Sequence, residues 1–301
     1  MQPLAPRPQM TSLLSSSVLD RLERLRICPL GRRTSRSRGE HLSGKGGTST
    51  EFCDYRDYAP GDDTRFVDWN IFARLHRPYL KQFHKEEERH VVLLIDVSAS
   101  MKFDGKLELA KSLAAAFGVV GLVNNERVSA YAAHQAADAP ERLPPCRGRV
   151  NLRTLFQFIE GVEGRGNAPL DRAMELLLRH HIGRGVCVIV SDFLTFGDLN
   201  RGFNLLYAAG LEPLGIQILS PREIEPDVTS DLRLVDSETQ ETLDVSSGEG
   251  LLSLYQEYRR GLEDELALLC RRRSGRFLPV SSATAVESVL FDQLRRRGWI
   301  E

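Results

Sequence analysis

Two apolar runs, each closed by an acid, constrain this chain more than any other feature. VVLLI spans 91–95 and meets Asp96; VCVIVS spans 186–191 and meets Asp192. A strand with one wet face alternates apolar and polar residues. A run that is apolar at every position belongs to a sheet covered on both faces, which is the habit of parallel strands joined by helices. RVSAYAA (127–133), EPLGIQIL (212–219) and RFLPVS (276–281) read as further strands. Between them, Leu109, Leu113, Ala116, Phe117 and Val120 form one helical stripe, and helices are expected at 151–160, 169–180, 199–209 and 284–297. Gly210 is placed to stop the third of those. Leu251, Tyr255, Tyr258, Leu262, Leu266 and Leu269 mark a long amphipathic helix, and 231–236 with 241–245 read as a hairpin. Strands alternating with helices predict an α/β fold: a doubly wound, mostly parallel, Rossmann-like sheet with helices on both faces. Ligands of such sheets sit at the carboxyl ends of strands near a topological switch point, where Asp96 and Asp192 both fall.

Upstream of this pattern the chain changes character. Residues 1–38 read as a disordered N-terminal arm carrying a short amphipathic helix at 17–27, with Val18, Leu22 and Leu25 on one face. Residues 39–301 read as one domain. Its extension, 51–89, is dense in aromatic and charged residues and too poor in apolar ones for a core of its own, so it is expected to pack on the rest. Within it, PGDDTRFVDW (60–69) carries a strong turn signal. The favoured reading has Phe66 and Trp69 packed on the sheet while Asp and Arg side chains pair to pin the turn; the other reading is a partner surface.

Charge and composition remove several classes. The formal net charge of -1 gives no reason to expect nucleic acid as a partner. The arginine clusters at 32–38, 271–273 and 295–297 read as solvated. His90 falls in an exposed charged stretch, and His180-His181 reads as a helix-end pair. No stretch of 18 apolar residues occurs, so no membrane span is expected. Five cysteines without a C-x-x-C pair, and no signal-peptide pattern, point to a reducing compartment and a cytoplasmic protein.

The residues after the first run carry the chemistry. Asp96, Ser98 and Ser100 alternate with single residues, so a tight loop can turn three oxygens to one point. Carboxylate and hydroxyl donors suit a hard cation such as Mg²⁺, with Mn²⁺ as a substitute. Asp192, from a second strand end, could close the site. The competing reading makes the serines caps for the following backbone and Asp96 a turn acid. An enzyme is not expected. G-x-S-x-G is absent around the serines, and Ser43 to Thr48 (SGKGGT) fails the phosphate-loop spacing. An aspartyl-phosphate phosphatase using Asp96 and Mg²⁺ is the enzymatic rival.

Asp96-Val97-Ser98-Ala99-Ser100-Met101 resembles the D-x-S-x-S signature that begins the metal-ion-dependent adhesion site of von Willebrand factor A domains. A narrower likeness lies upstream, in Glu51-Phe52, Arg56-Asp57-Tyr58, Pro60-Gly61-Asp62-Asp63, Arg65, Asp68-Trp69 and Ala73-Arg74, joined by Lys106. These residues resemble the domain-of-unknown-function 58 family, a bacterial and archaeal group with von Willebrand A-like domains; the likeness covers roughly 39–299. The resemblance implies a divalent ion surrounded by Asp96, Ser98, Ser100 and Asp192. The family usually adds a loop threonine. Here the corresponding run, 165–170, has none, and Asn167 could offer its carbonyl instead. The resemblance further implies a non-enzymatic interaction module whose ion takes an acidic group from a protein partner. It also implies action beside a MoxR-type AAA ATPase in assembling or activating protein complexes. A metal-independent structural scaffold is the alternative.

Overall fold

A computed structural model describes residues 10–28, 52–83, 89–133, 141–164, 166, 169–226, 232–235, 242–245 and 249–301. The chain divides into two compact units, one of residues 33–88 and one of 1–32 with 89–301.

The larger unit begins with α1 (Ser16–Leu22), capped by the Ser15 hydroxyl, which accepts from the Val18 amide. The helix is shorter than the expected 17–27, but its apolar face is present: Val18, Leu22 and Leu25 belong to the core. Ile27 continues inward and forms an antiparallel bridge with Ile300.

The smaller unit pairs β1 (Phe52–Asp57) with β2 (Tyr79–Phe83) antiparallel, with α2 (Trp69–Leu75) between them in sequence. The expected pinning of its turn is seen. Arg56 grips Asp62 with both guanidinium nitrogens at 2.8 and 2.6 Å, and Arg65 grips Asp63. Asp68 caps α2 through the Asn70 and Ile71 amides and also receives Lys81 and the Tyr55 hydroxyl. Within this unit Trp69 and Phe66 are exposed, and Trp69 stacks edge-on against Phe72.

The main sheet has six strands. Its members are β3 (His90–Asp96), β4 (Arg127–Ala133), β5 (Glu141–Cys146), β6 (Gly185–Ser191), β7 (Leu211–Leu219) and, after the separate hairpin β8 (Leu232–Val235) and β9 (Thr242–Val245), β10 (Arg276–Ser281). Their order is β10-β7-β6-β3-β4-β5, parallel throughout except for β5, which runs antiparallel to β4. The crossovers are α3 (Lys106–Val123), α4 (Leu152–Gly161), α5 (Leu170–Leu178), α6 (Leu199–Ala208), the short α7 (Pro221–Ile224) and α8 (Glu249–Arg271). The expected last helix is present over 286–296: α9 (Val286–Ser288) runs into a π-helical stretch over Val289–Leu294 and ends in α-helical residues 295–296.

Both faces of the sheet are covered, as continuous apolar strands require. Val91, Leu93 and Ile95 pack with α1, α3 and α4; Val92 and Leu94 pack with α5, α6 and α8. α3 is central. Fourteen of its residues are buried, and a methyl group at Gly118 or Gly121 would strike Leu155 or Val128 at 2.6 or 2.7 Å. Two residues read as solvent-facing are inside. His90 opens β3 buried and packs edge-on to His181 at 5.1 Å. Arg273 is buried because Asn200, Asn204 and the Leu269 carbonyl supply the acceptors that an interior guanidinium needs.

Candidate functional site

The chain leaves β3 for β4 and β5 on one side, then returns to the other side of β3 for β6, β7 and β10. The switch point therefore lies between the ends of β3 and β6, and Asp96 and Asp192 stand there as expected.

The loop after β3 folds through its own acid. Asp96 Oδ1 accepts from the Ser98 amide at 2.9 Å, so the turn-acid reading holds in part. The serines do not cap the following turn. Ser98 sits at its N-cap position without a side-chain cap bond, and its hydroxyl instead lies 3.0 Å from that of Ser100. Met101, fully buried, anchors the 3-10 turn, and left-handed Asp104 and Gly105 redirect the chain into α3. The backbone of the middle loop comes alongside: Ala99 N–H donates to the Gly166 carbonyl at 3.1 Å. Asn167, the expected substitute for a loop threonine, lies outside the described residues.

The second strand end adds a residue that spacing did not single out. Ser191 donates its hydroxyl to Asp96 Oδ2 and accepts the Phe193 amide at 2.8 Å. Phe193 is held left-handed at φ 58, a strained choice for an aromatic residue. Its ring is locked between Phe203 and Phe277. The resulting turn directs Asp192 inward, where Oδ1 accepts from the Leu194 amide and the main-chain carbonyl accepts from Gln217.

Asp192 does not stand open. Lys106, the first residue of α3 and 0% exposed, reaches Asp192 Oδ2 at 2.9 Å and Glu223 Oε1 at 2.7 Å. Glu223 is fixed by a capping box on α7, in which its other oxygen receives the Ser220 amide while Ser220 Oγ accepts the Glu223 amide. Tyr255 of α8 donates its hydroxyl to the Glu223 carbonyl. The family likeness includes Lys106, while the spacing of the oxygen cluster alone singles out neither Lys106 nor Glu223. Both carried a signal. A cation in the first turn of a helix opposes the helix dipole and so needs an acid nearby. Ser220-Pro221-Arg222-Glu223 has the S-x-x-E spacing of a capping box.

The electrostatics separate the two acids. Burial pushes the Asp96 carboxyl up to about 6, Asp192 adds repulsion, and the bonds from Ser191 and Ser98 pull the other way. Burial disfavours the Lys106 charge, but Asp192 and Glu223 outweigh it and hold the ammonium above the ordinary lysine value. Among the described residues no group of three or more His, Cys, Asp or Glu side chains could hold a metal. A cation site among these residues would have at most two such side chains, with hydroxyls supplying further oxygens. Asp96, Ser98 and Ser100 fit that description: adjacent oxygens around Mg²⁺ with bonds of 2.0–2.1 Å stand about 2.9 Å apart, close to the 3.0 Å between the serine hydroxyls.

The sequence profile described as "Protein of unknown function DUF58" matches residues 54–264. An uncharacterised protein of Mycobacterium tuberculosis (strain ATCC 25618 / H37Rv) is 35% identical over 215 residues, which are 67% of this chain and 65% of that protein. The chain thus spans just under two thirds of that relative's length. An uncharacterised protein of Mycobacterium avium is 37% identical over 106 residues, 33% of this chain and 59% of its own. Among solved structures, the conserved hypothetical protein BatB from Bacteroides thetaiotaomicron aligns over 69% of this chain and 98% of its own. That superposition has 15% identity and a TM-score of 0.43. An aerotolerance-related membrane protein from Bacteroides fragilis aligns over 67% and 96%, with 16% identity and a TM-score of 0.42. Among the described residues of this chain, no helix is long and apolar enough to cross a membrane.

Proposed function

Since the chain belongs to the DUF58 family of proteins of unknown function, we propose that it is a non-enzymatic interaction module of von Willebrand A type. In this reading its strand-end loops seat a divalent ion, Mg²⁺ or Mn²⁺, and present it to an acidic group of a protein partner. The observation that carries the reading is the trio at the switch point: a buried carboxylate, Asp96, beside two hydroxyls 3.0 Å apart, Ser98 and Ser100. Asp96, Ser98 and Ser100 contact the ion, and Asp192 with Ser191 shapes the wall behind them. When bound, the ion supplies an electrophilic coordination position that a carboxylate can fill.

Asp96 is held in one orientation, with a lone pair left on each oxygen for an ion. Both of its oxygens are engaged, by the Ser98 amide and the Ser191 hydroxyl, and the side chain is almost wholly buried. The partner class implied by the family likeness is a MoxR-type AAA ATPase, and the setting is the cytoplasm.

The test is capture of such an ATPase by the full chain in Mg²⁺ and in chelator, with wild type and the Ser98→Ala/Ser100→Ala variant. Capture by wild type in Mg²⁺, lost in chelator and in the variant, is expected. Capture that persists through both changes contradicts the reading. It would favour the metal-independent scaffold, which the Lys106 ammonium supports by already placing a positive charge between Asp192 and Glu223.

A further inference from the structure

We propose that Lys106 is the built-in counter-cation of this site: by holding Asp192 it keeps that carboxylate off a bound divalent ion and leaves Asp96 as the acid in contact. The inference rests on the metal reading above and assigns a tuning role within it.

The two acids at the switch point have different partners. Asp96 is held by neutral donors, the Ser98 amide and the Ser191 hydroxyl. Asp192 is held by an ammonium at 2.9 Å that has no exposure to solvent. A buried ammonium needs acids to offset its desolvation, so pulling Asp192 away would remove one of the two carboxylates that hold it. Glu223 already engages the ammonium through Oε1 and has its second oxygen committed to the Ser220 amide, so it offers no further acceptor in place of Asp192. The position of Lys106 points the same way. It opens α3, where the helix dipole disfavours a cation, and the arrangement stands because two acids face it.

The consequence concerns partner choice. Affinity at oxygen sites follows the number of charged ligands. An ion touched by two carboxylates is nearly neutralised. One touched by Asp96 and two hydroxyls keeps net positive charge, binds less tightly, and favours an anionic oxygen from outside over a neutral carbonyl. Lys106 therefore acts through Asp192 as a positioning residue that exchanges metal affinity for selectivity toward acidic partners.

The experiment is Mn²⁺ titration of the full chain, read by calorimetry and by the paramagnetic signal of free Mn²⁺. The variants are Lys106→Gln, Lys106→Met, Asp192→Asn and the Lys106→Gln/Asp192→Asn pair, each first checked for folding by thermal melting. Lys106→Gln keeps a hydrogen-bond donor in the same space without the charge, so it covers the case in which Lys106→Met does not fold. Freed of the ammonium, Asp192 should reach the ion, and Mn²⁺ should bind about tenfold tighter or more. Asp192→Asn should then cost more affinity in the Lys106→Gln background than in wild type. Unchanged or weaker binding in Lys106→Gln, or an equal cost of Asp192→Asn in both backgrounds, overturns the inference alone. Wild type without saturable Mn²⁺ binding overturns the metal reading, and this inference with it.

Discussion

Asp96 is a buried acid whose ordinary state depends on pH. Burial and the repulsion of Asp192 raise its folded value to about 6, against 3.8 for the free group. Between those values the folded chain holds a proton that the unfolded chain has released. The stability that Asp96 contributes is therefore complete below pH 3.8 and is lost as pH rises through about 6. Above that, the ionised carboxylate works against the metal-free fold. Asp96→Asn should raise stability in chelator by about 1–3 kcal/mol at pH 8 and by nearly nothing at pH 4. Thermal denaturation at both values checks this, and an equal change at both contradicts it. The residues that bear oxygen were legible as a sequence pattern because Asp96, Ser98 and Ser100 are two apart and a loop brings them together. Their partners were not. Lys106 meets Asp192 and Glu223 across 86 and 117 residues of chain, and no local spacing encodes such contacts.

At the scale of elements, period and burial decided what could be read. β3 and β6 were plain because a strand covered on both faces is apolar at each position. β5 was missed for the opposite reason. Pro144 and Pro145 demote a run that survives only as the antiparallel edge of the sheet, where a missing N–H is tolerated. α1 was foreseen as a helix, but its standing was not. Residues 1–38 were expected to form an arm, whereas Leu14, Val18, Leu22 and Leu25 belong to the same cluster as α3 and the sheet. Leu22 is fully buried, so Leu22→Ala removes a core side chain and leaves a cavity beneath α1. The expected loss is about 2–5 kcal/mol of global stability, measured by chemical denaturation. A loss under about 0.5 kcal/mol, the usual size for a surface position, would show that the helix is an appendage after all.

At the scale of the molecule, one feature links fold to function. A doubly covered parallel sheet must reverse its strand order somewhere, and that reversal opens a crevice at the strand ends. Here it falls between β3 and β6, and the chain fills it with Asp96, Ser98, Ser100, Ser191 and Asp192, backed by a buried lysine. The smaller unit, 33–88, is organised differently, by paired charges around a turn, and keeps Trp69 and Leu75 each 61% exposed. The central claim is that the crevice seats a divalent ion on Asp96 and the two serines. The most direct measurement is calorimetric titration of Mg²⁺ and Mn²⁺ into the wild-type chain and into Asp96→Ala. Saturable binding by wild type at millimolar metal or below, abolished in a folded Asp96→Ala, is the predicted result. No saturable binding by wild type, or equal binding by both, contradicts the account.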